Sequence, residues 1–216
     1  MATVTARPTA VVVMPDAGTI DWVNASNSLT ENGVFAVASA VTPDHEEDAI
    51  VTHALKFTGF NTDLSVIPDG STINSWKYRL KRKSSEASGV HYSLIYRVES
   101  GSLVHPFIVP PVWGTDLEWE EQTTTTSMPT AAVIKAADLG LALVVEFYGG
   151  DGVTSTDASI DAVEIVIDYT APANSGPFCV VASQSHCPGS VAPQSHCPGS
   201  TAAQNHSPGS VSTQTC

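Results

Sequence analysis

Charge ends abruptly in this chain. No Asp, Glu, Lys or Arg occurs from residue 171 to residue 216. Over 184–216 a ten-residue unit recurs: Gln184, Gln194, Gln204 and Gln214 stand one period apart, as do His186, His196 and His206. Pro-Gly-Ser steps at 188–190, 198–200 and 208–210 keep the same phase. This partition predicts a folded head over 1–170, a linker over 171–183 and a low-complexity repeat tail over 184–216. The head is long enough to bury a core of its own. The tail lacks heptads and lacks glycine at every third position, so neither a coiled coil nor a collagen helix fits. Its Pro-Gly steps predict one turn or one extended bend per unit. A single copy buries too little apolar surface to offset backbone ordering, so an isolated copy is expected to be disordered unless it packs on the head, a neighbouring subunit or attached sugar.

Nine basic and twenty-two acidic residues give a net charge of −13. Such a surface repels phosphate backbones and anionic lipid, which argues against nucleic-acid partners and against membrane association. No apolar run approaches the roughly 20 residues of a spanning helix, so no membrane insertion is expected. The short run Ala10–Met14 is below the length of a signal-peptide core, and the expected location is a virion or the extracellular space after lysis. The four cysteines fall at 179, 187, 197 and 216, all outside the head. Cys187, Cys197 and Cys216 are candidates for disulfides between chains. Pairing of Cys187 with Cys197 inside the tail and free thiols are the alternatives. His186, Cys187, His196, Cys197 and His206 are zinc-competent types, but adjacent His-Cys followed by a nine-residue step from Cys187 to His196 does not match a knuckle.

Within the head, period-two alternation and turn signals predominate. Strands are expected over 9–14, 34–41, 49–60, 73–83, 90–98, 141–148 and 160–169, with 103–111 as an edge or loop and 115–126 extended. Asn32-Gly33 and Pro68-Asp69-Gly70 are turn signals. Residues 73–83 alternate most clearly: Trp76, Tyr78 and Leu80 take one face, and Lys77, Arg79, Lys81 and Lys83 the other. That basic row is either a stripe for an anionic partner or a solvated face offsetting excess acid, and the second reading is preferred. One helix is expected, over Thr130–Asp138, with Thr130 as N-cap. Strands at this spacing with one short helix imply an all-β antiparallel sandwich or jelly roll.

An ordered set of short signatures carries a resemblance: Trp22-Val23-Asn24 with Asn27; Asn32-Gly33-Val34-Phe35-Ala36; the 76–83 strand; Trp113-Gly114-Thr115 with Trp119; Ala137-Asp138-Leu139-Gly140; and the closing 160–169 strand. Over about residues 15–170 the chain resembles a β-sandwich module of tailed-phage and prophage virion appendages. The resemblance implies a jelly-roll-like fold and a structural or adhesive role, with no catalytic residues to carry over. In such a module Trp22 is expected to close one end of the sandwich and to bond through its indole N–H.

Three groups of residues invite a chemical reading. Asp44, Glu46, Glu47 and Asp48 around His45 are acidic but lack a glycine pivot for calcium. Asp157 and Asp161, with Asp151-Gly152-Val153, depart from the calcium-loop spacing. Glu118, Glu120 and Glu121 beside Trp113 and Trp119 suit a carboxylate pair with sugar-stacking rings only if the tryptophans line a cleft. No nucleophile elbow, Walker loop or zinc-protease motif occurs. The expectation is therefore a non-enzyme without cofactor. It is either a structural subunit, with itself as partner in a homo-oligomer or helical assembly, or a module that binds host-surface glycan through Trp113 and Trp119.

Overall fold

The computed structural model describes residues 1–41, 49–87, 89–99, 102–109, 112–125, 127–147 and 155–173. The expectations for the 44–48 cluster, for 151–153, and for the linker and repeat tail from 174 onward, with all four cysteines, lie outside these residues. The chain divides into one compact unit over Met1–Pro172 and a second over Ala173–Cys216.

The strands are β1 (Ala2–Ala6), β2 (Ala10–Met14), β3 (Ala36–Val41), β4 (Ile50–Val51), β5 (Ala54–Thr58), β6 (Thr72–Ser84), β7 (Val90–Glu99), β8 (Ser102–Val109), β9 (Glu118–Thr124), β10 (Gly140–Phe147) and β11 (Ser155–Thr170). Short helices α1 (Asn61–Leu64) and α2 (Ala131–Ile134) lie between them. Among the described residues two antiparallel sheets form. One runs β1-β11-β6-β9, with β3 also on β11; the other runs β2-β5-β10-β7-β8, with β4 also on β10. The all-β two-sheet architecture is the expected one.

The core lies between the sheets. Trp76, Tyr78 and Leu80 of β6 and Val163, Ile165 and Ile167 of β11 face Leu55 and Phe57 of β5 and Leu141, Leu143, Val145 and Phe147 of β10. Burying this many large apolar side chains from both sheets is the main term holding the layers together. Trp22 is buried, and its Nε1 donates to His53 O at 2.9 Å. Gly70 completes the Pro68 turn at φ +75, with Ser71 N on Pro68 O at 3.2 Å.

Several expectations need correction. The 49–60 strand is interrupted: Thr52 turns inward, and its Oγ1 accepts from Val145 N at 3.0 Å, so β4 and β5 are separate strands. Ala54 and Leu55 are then both buried, and the single alternation read across that segment fails. Residues 160–169 do not alternate uniformly either. A bulge between Ile160 and Ala162 swings Asp161 out of register, so Ile160 shares the core with Val163, Ile165 and Ile167. The helix expected over Thr130–Asp138 is one turn. Thr130 does cap it, accepting from Val133 N at 3.3 Å, but beyond it the bonds tighten to Ala136 N on Val133 O and Leu139 N on Ala136 O. That curl delivers Leu139 to the core. β1 and α1 were not anticipated. β1 has a weak pattern of its own and exists because β11 offers it a partner over Ile165–Tyr169.

Candidate functional site

β6 lies between β11 and β9, and the register fixes what its cations meet. Arg79 stands opposite Glu164 on one side and Glu121 on the other; Lys81 stands opposite Trp119. On this outer face the charges form a ladder. Lys77 Nζ lies 2.9 Å from Glu121 Oε2, and Arg79 Nε 2.6 Å from Glu121 Oε1. Arg79 Nη1 reaches Glu164 Oε2 at 2.7 Å, and Arg7 Nη2 reaches Glu164 Oε1 at 2.6 Å and Glu31 Oε2 at 3.2 Å. Lys81 Nζ lies 2.7 Å from Glu31 Oε1 and 3.4 Å from Asp161 Oδ2. Four cations thus face four carboxylates. Lys77, Arg79 and Lys81 of the row are therefore ion-paired rather than an open basic stripe, while Lys83 Nζ lies 4.6 Å from the Phe35 ring centroid.

The electrostatics follow the geometry. The Lys77 bond, with Arg79, holds Glu121 below the ordinary glutamate range. The Lys81 bond does the same for Glu31, and Glu31 in turn raises Lys81. Arg7 is raised by its bond to Glu164. Each isolated surface pair contributes little, but a shared network fixes long side chains in one arrangement.

The two tryptophans singled out from sequence part company here. Trp119 sits half-buried on the outer face of edge strand β9, with Arg79 Cζ 4.4 Å from its ring centroid. Trp113 is 0 % exposed and cannot present a ring to a surface ligand, which corrects its place among the contact aromatics. Its backbone N–H donates to Val90 O at 2.9 Å, and the next residue's Gly114 O accepts from Ser84 N at 2.7 Å. The segment therefore straddles β7 and β6, and the indole is drawn between the layers. Arg82 stacks on it there, Cζ 4.9 Å from the ring.

Alternation along β9 also separates the carboxylates. Glu121 points outward onto Lys77 and Arg79, whereas Glu120 points inward and bonds Arg82 Nε. Burial pushes the Glu120 carboxyl above its ordinary value; Arg82 pulls it back and Glu118 adds to the rise. Both glutamates are committed to cations on opposite faces of one strand, an arrangement unlike two carboxylates facing across a cleft. Asp161 and Asp157 are likewise engaged. Asp161 Oδ1 accepts from Asn32 N at 3.1 Å and Gly33 N at 2.9 Å, and Asp157 Oδ1 accepts from Ser39 Oγ at 2.6 Å. No group of three or more metal-binding side chains forms among the described residues. Arg82 went unremarked in the sequence, although its phase with Trp76, Tyr78 and Leu80 was the available signal.

No family model matches the chain, and no curated protein matches it in sequence. Solved structures similar in shape include a CBM4 structure (TM-score 0.34, 13% identity, covering 78% of this chain and 94% of that one). Another is the family 32 CBM of NanJ from C. perfringens in complex with galactose (TM-score 0.36, 13% identity, 76% and 99%). A third is the N-terminal cellulose-binding domain of Cellulomonas fimi β-1,4-glucanase C (TM-score 0.31, 11% identity, 79% and 90%). At these scores and identities the ligand of this chain has to be argued from its own residues.

Proposed function

We propose that the head is a non-catalytic recognition module that binds a neutral glycan on the outer face of β6, β9 and β11, with Trp119 as the stacking ring. The observation that carries this reading is Trp119 half-exposed at the margin of the neutral charge ladder, held there by Arg79. A charged ligand would have to break ion pairs to bind. A sugar hydroxyl both donates and accepts, so it can bridge Lys77, Arg79 and Glu121 while their pairing persists. The ladder holds its side chains in place beforehand, which lowers the ordering penalty on binding. Trp supplies a large, rigid amphipathic surface for the apolar face of a sugar ring.

A glycan array with the full chain tests the reading, followed by titration of whichever neutral oligosaccharide binds. Trp119→Ala is expected to weaken binding at least roughly tenfold, as for a central aromatic contact, with little change in thermal stability. An array without signal for the intact protein sinks it.

A structural, self-associating subunit of a virion appendage is the second reading. Among the described residues β9 and β8 end the strand orders of their sheets, and a sheet edge that meets a second copy can template further pairing. In that case the repeat tail is a connector, and Cys187, Cys197 and Cys216 join chains. Solution mass with and without residues 171–216, together with non-reducing gels, separates this reading from the first. A monomer in both forms with no cross-linked species removes it.

A further inference from the structure

The Asn32-Gly33 step carries a chemical liability as well as a turn. Glycine has no Cβ to shield its backbone nitrogen, so that nitrogen can attack the side-chain carbonyl of the asparagine before it. Gly33 N would bond to Asn32 Cγ, and its proton would pass to the side-chain amide nitrogen, which leaves as ammonia. A cyclic imide remains. Water then opens the imide at either carbonyl, leaving aspartate or an isoaspartyl link at position 32. Water is the sole co-reactant, and nothing is oxidised or reduced.

Packing does not guard this step. Residues 31–34 are exposed, and a Cβ added at Gly33 would meet nothing within 4 Å. Hydrogen bonds hold the reacting groups instead. Gly33 N donates to Asp161 Oδ1 at 2.9 Å, Asn32 N donates to the same oxygen at 3.1 Å, and Asn32 Oδ1 accepts from Val34 N at 2.9 Å. Attack requires Gly33 N to shed its proton beside a carboxylate, which sets one negative charge against another. Ring closure also needs the Asn32 side chain to rotate, and the bond from Val34 N restrains it. Asp161 is itself fixed: its side chain is 1 % exposed, and Lys81 Nζ lies 3.4 Å from its other oxygen. We propose that Asn32 is a latent deamidation site and that Asp161 is the residue that keeps it unconverted. Once the turn is released from Asp161 it converts, and it gains a carboxylate next to Glu31 where an amide stood. This inference is independent of what the outer face of β6, β9 and β11 binds.

The test incubates the folded full chain in mildly alkaline buffer and follows Asn32 by peptide mass and isoaspartate content. Wild type is expected to convert at least roughly tenfold more slowly folded than in urea, the scale of one hydrogen bond to a charged group. Asp161→Ala should convert at least roughly tenfold faster than folded wild type for the same reason. Asp161→Asn, which keeps an oxygen and loses the charge, should fall between, at about threefold or more. If Asp161→Ala does not fold, Asp161→Asn decides alone. Ile95→Val, a mild loss in the core of the opposite sheet, should leave the Asn32 rate within about twofold of wild type. Equal rates in wild type and the Asp161 variants overturn the proposal. So does slower conversion in those variants, which would make Asp161 a base for the reaction rather than its restraint. Conversion of folded wild type as fast as in urea overturns it too, as does an acceleration in Ile95→Val equal to that in Asp161→Asn, which would assign the protection to global stability.

Discussion

Asp161 shows how much one side chain can organise in this protein. It is the residue displaced by the β11 bulge, and its carboxylate reaches the turn before β3, where Oδ1 takes both the Asn32 and the Gly33 N–H. Asn32 Oδ1 accepts in turn from Val34 N at 2.9 Å, and Gly33 supplies φ +73, which a residue with a Cβ adopts poorly. The other oxygen faces Lys81 at 3.4 Å. Asp161→Ala would leave two backbone donors and a lysine without this acceptor. It is expected to lower the unfolding free energy by about 2–3 kcal/mol, and Asp161→Asn, which keeps an oxygen for the turn, by about half as much. Urea denaturation of the three proteins checks both values. The asparagine-glycine turn was legible from sequence because its chemistry is local. The aspartate that secures it was not, since it lies 129 residues from Asn32.

At the scale of elements, β6 and its neighbours predict a pH response. Glu31 and Glu121 are held low chiefly by their bonds to Lys81 and Lys77, and Asp168 by hydroxyl donation from Ser75, then Thr3. For these groups the unfolded chain binds protons at higher pH than the folded one. Their stabilisation is complete above the unfolded values and is lost as pH falls through the folded values. Glu120, raised by burial, acts in the opposite sense: the folded state takes up its proton first, so this group alone favours folding as pH falls. Three groups act in the first sense and one in the other. Stability should therefore decline from about pH 5 to about pH 3. Glu121→Gln should make that decline shallower, and 0.5 M salt should flatten it further because the ladder is partly exposed. Urea midpoints measured across the range give the result, and a steeper decline in Glu121→Gln contradicts it. Phase along β6 was readable because period two is a property of the strand itself. The bulge in β11, the break at Thr52 and the early end of α2 were not, because each is imposed by a partner: Arg82 and Lys81 across the sheet, Val145 N, and the core seat of Leu139.

For the whole molecule, the division at Pro172 predicts that residues 1–172 fold without the rest. Their melting temperature should match that of the full chain within about 1 °C, below the roughly 2–4 °C that a 1 kcal/mol change produces in a domain of this size. Differential scanning calorimetry of the two proteins decides the matter, and a large drop on truncation would show that the head relies on residues beyond it. The last charged residue of the sequence, Asp168, lies four positions before that division. The phase along β6, the turns at 32–33 and 68–70 and the Thr130 cap were set by sequence alone, through steric and hydrogen-bonding preferences that act over a few residues. Which charges meet was decided only by the tertiary structure. Arg79 joins Glu121, 42 residues on, and Glu164, 85 residues on, because β9 and β11 flank β6. The same pairing turned an apparent basic stripe into a neutral face, left Trp119 at its margin and drew Trp113 between the sheets, since register and layer closure fix long-range neighbours that no local pattern encodes.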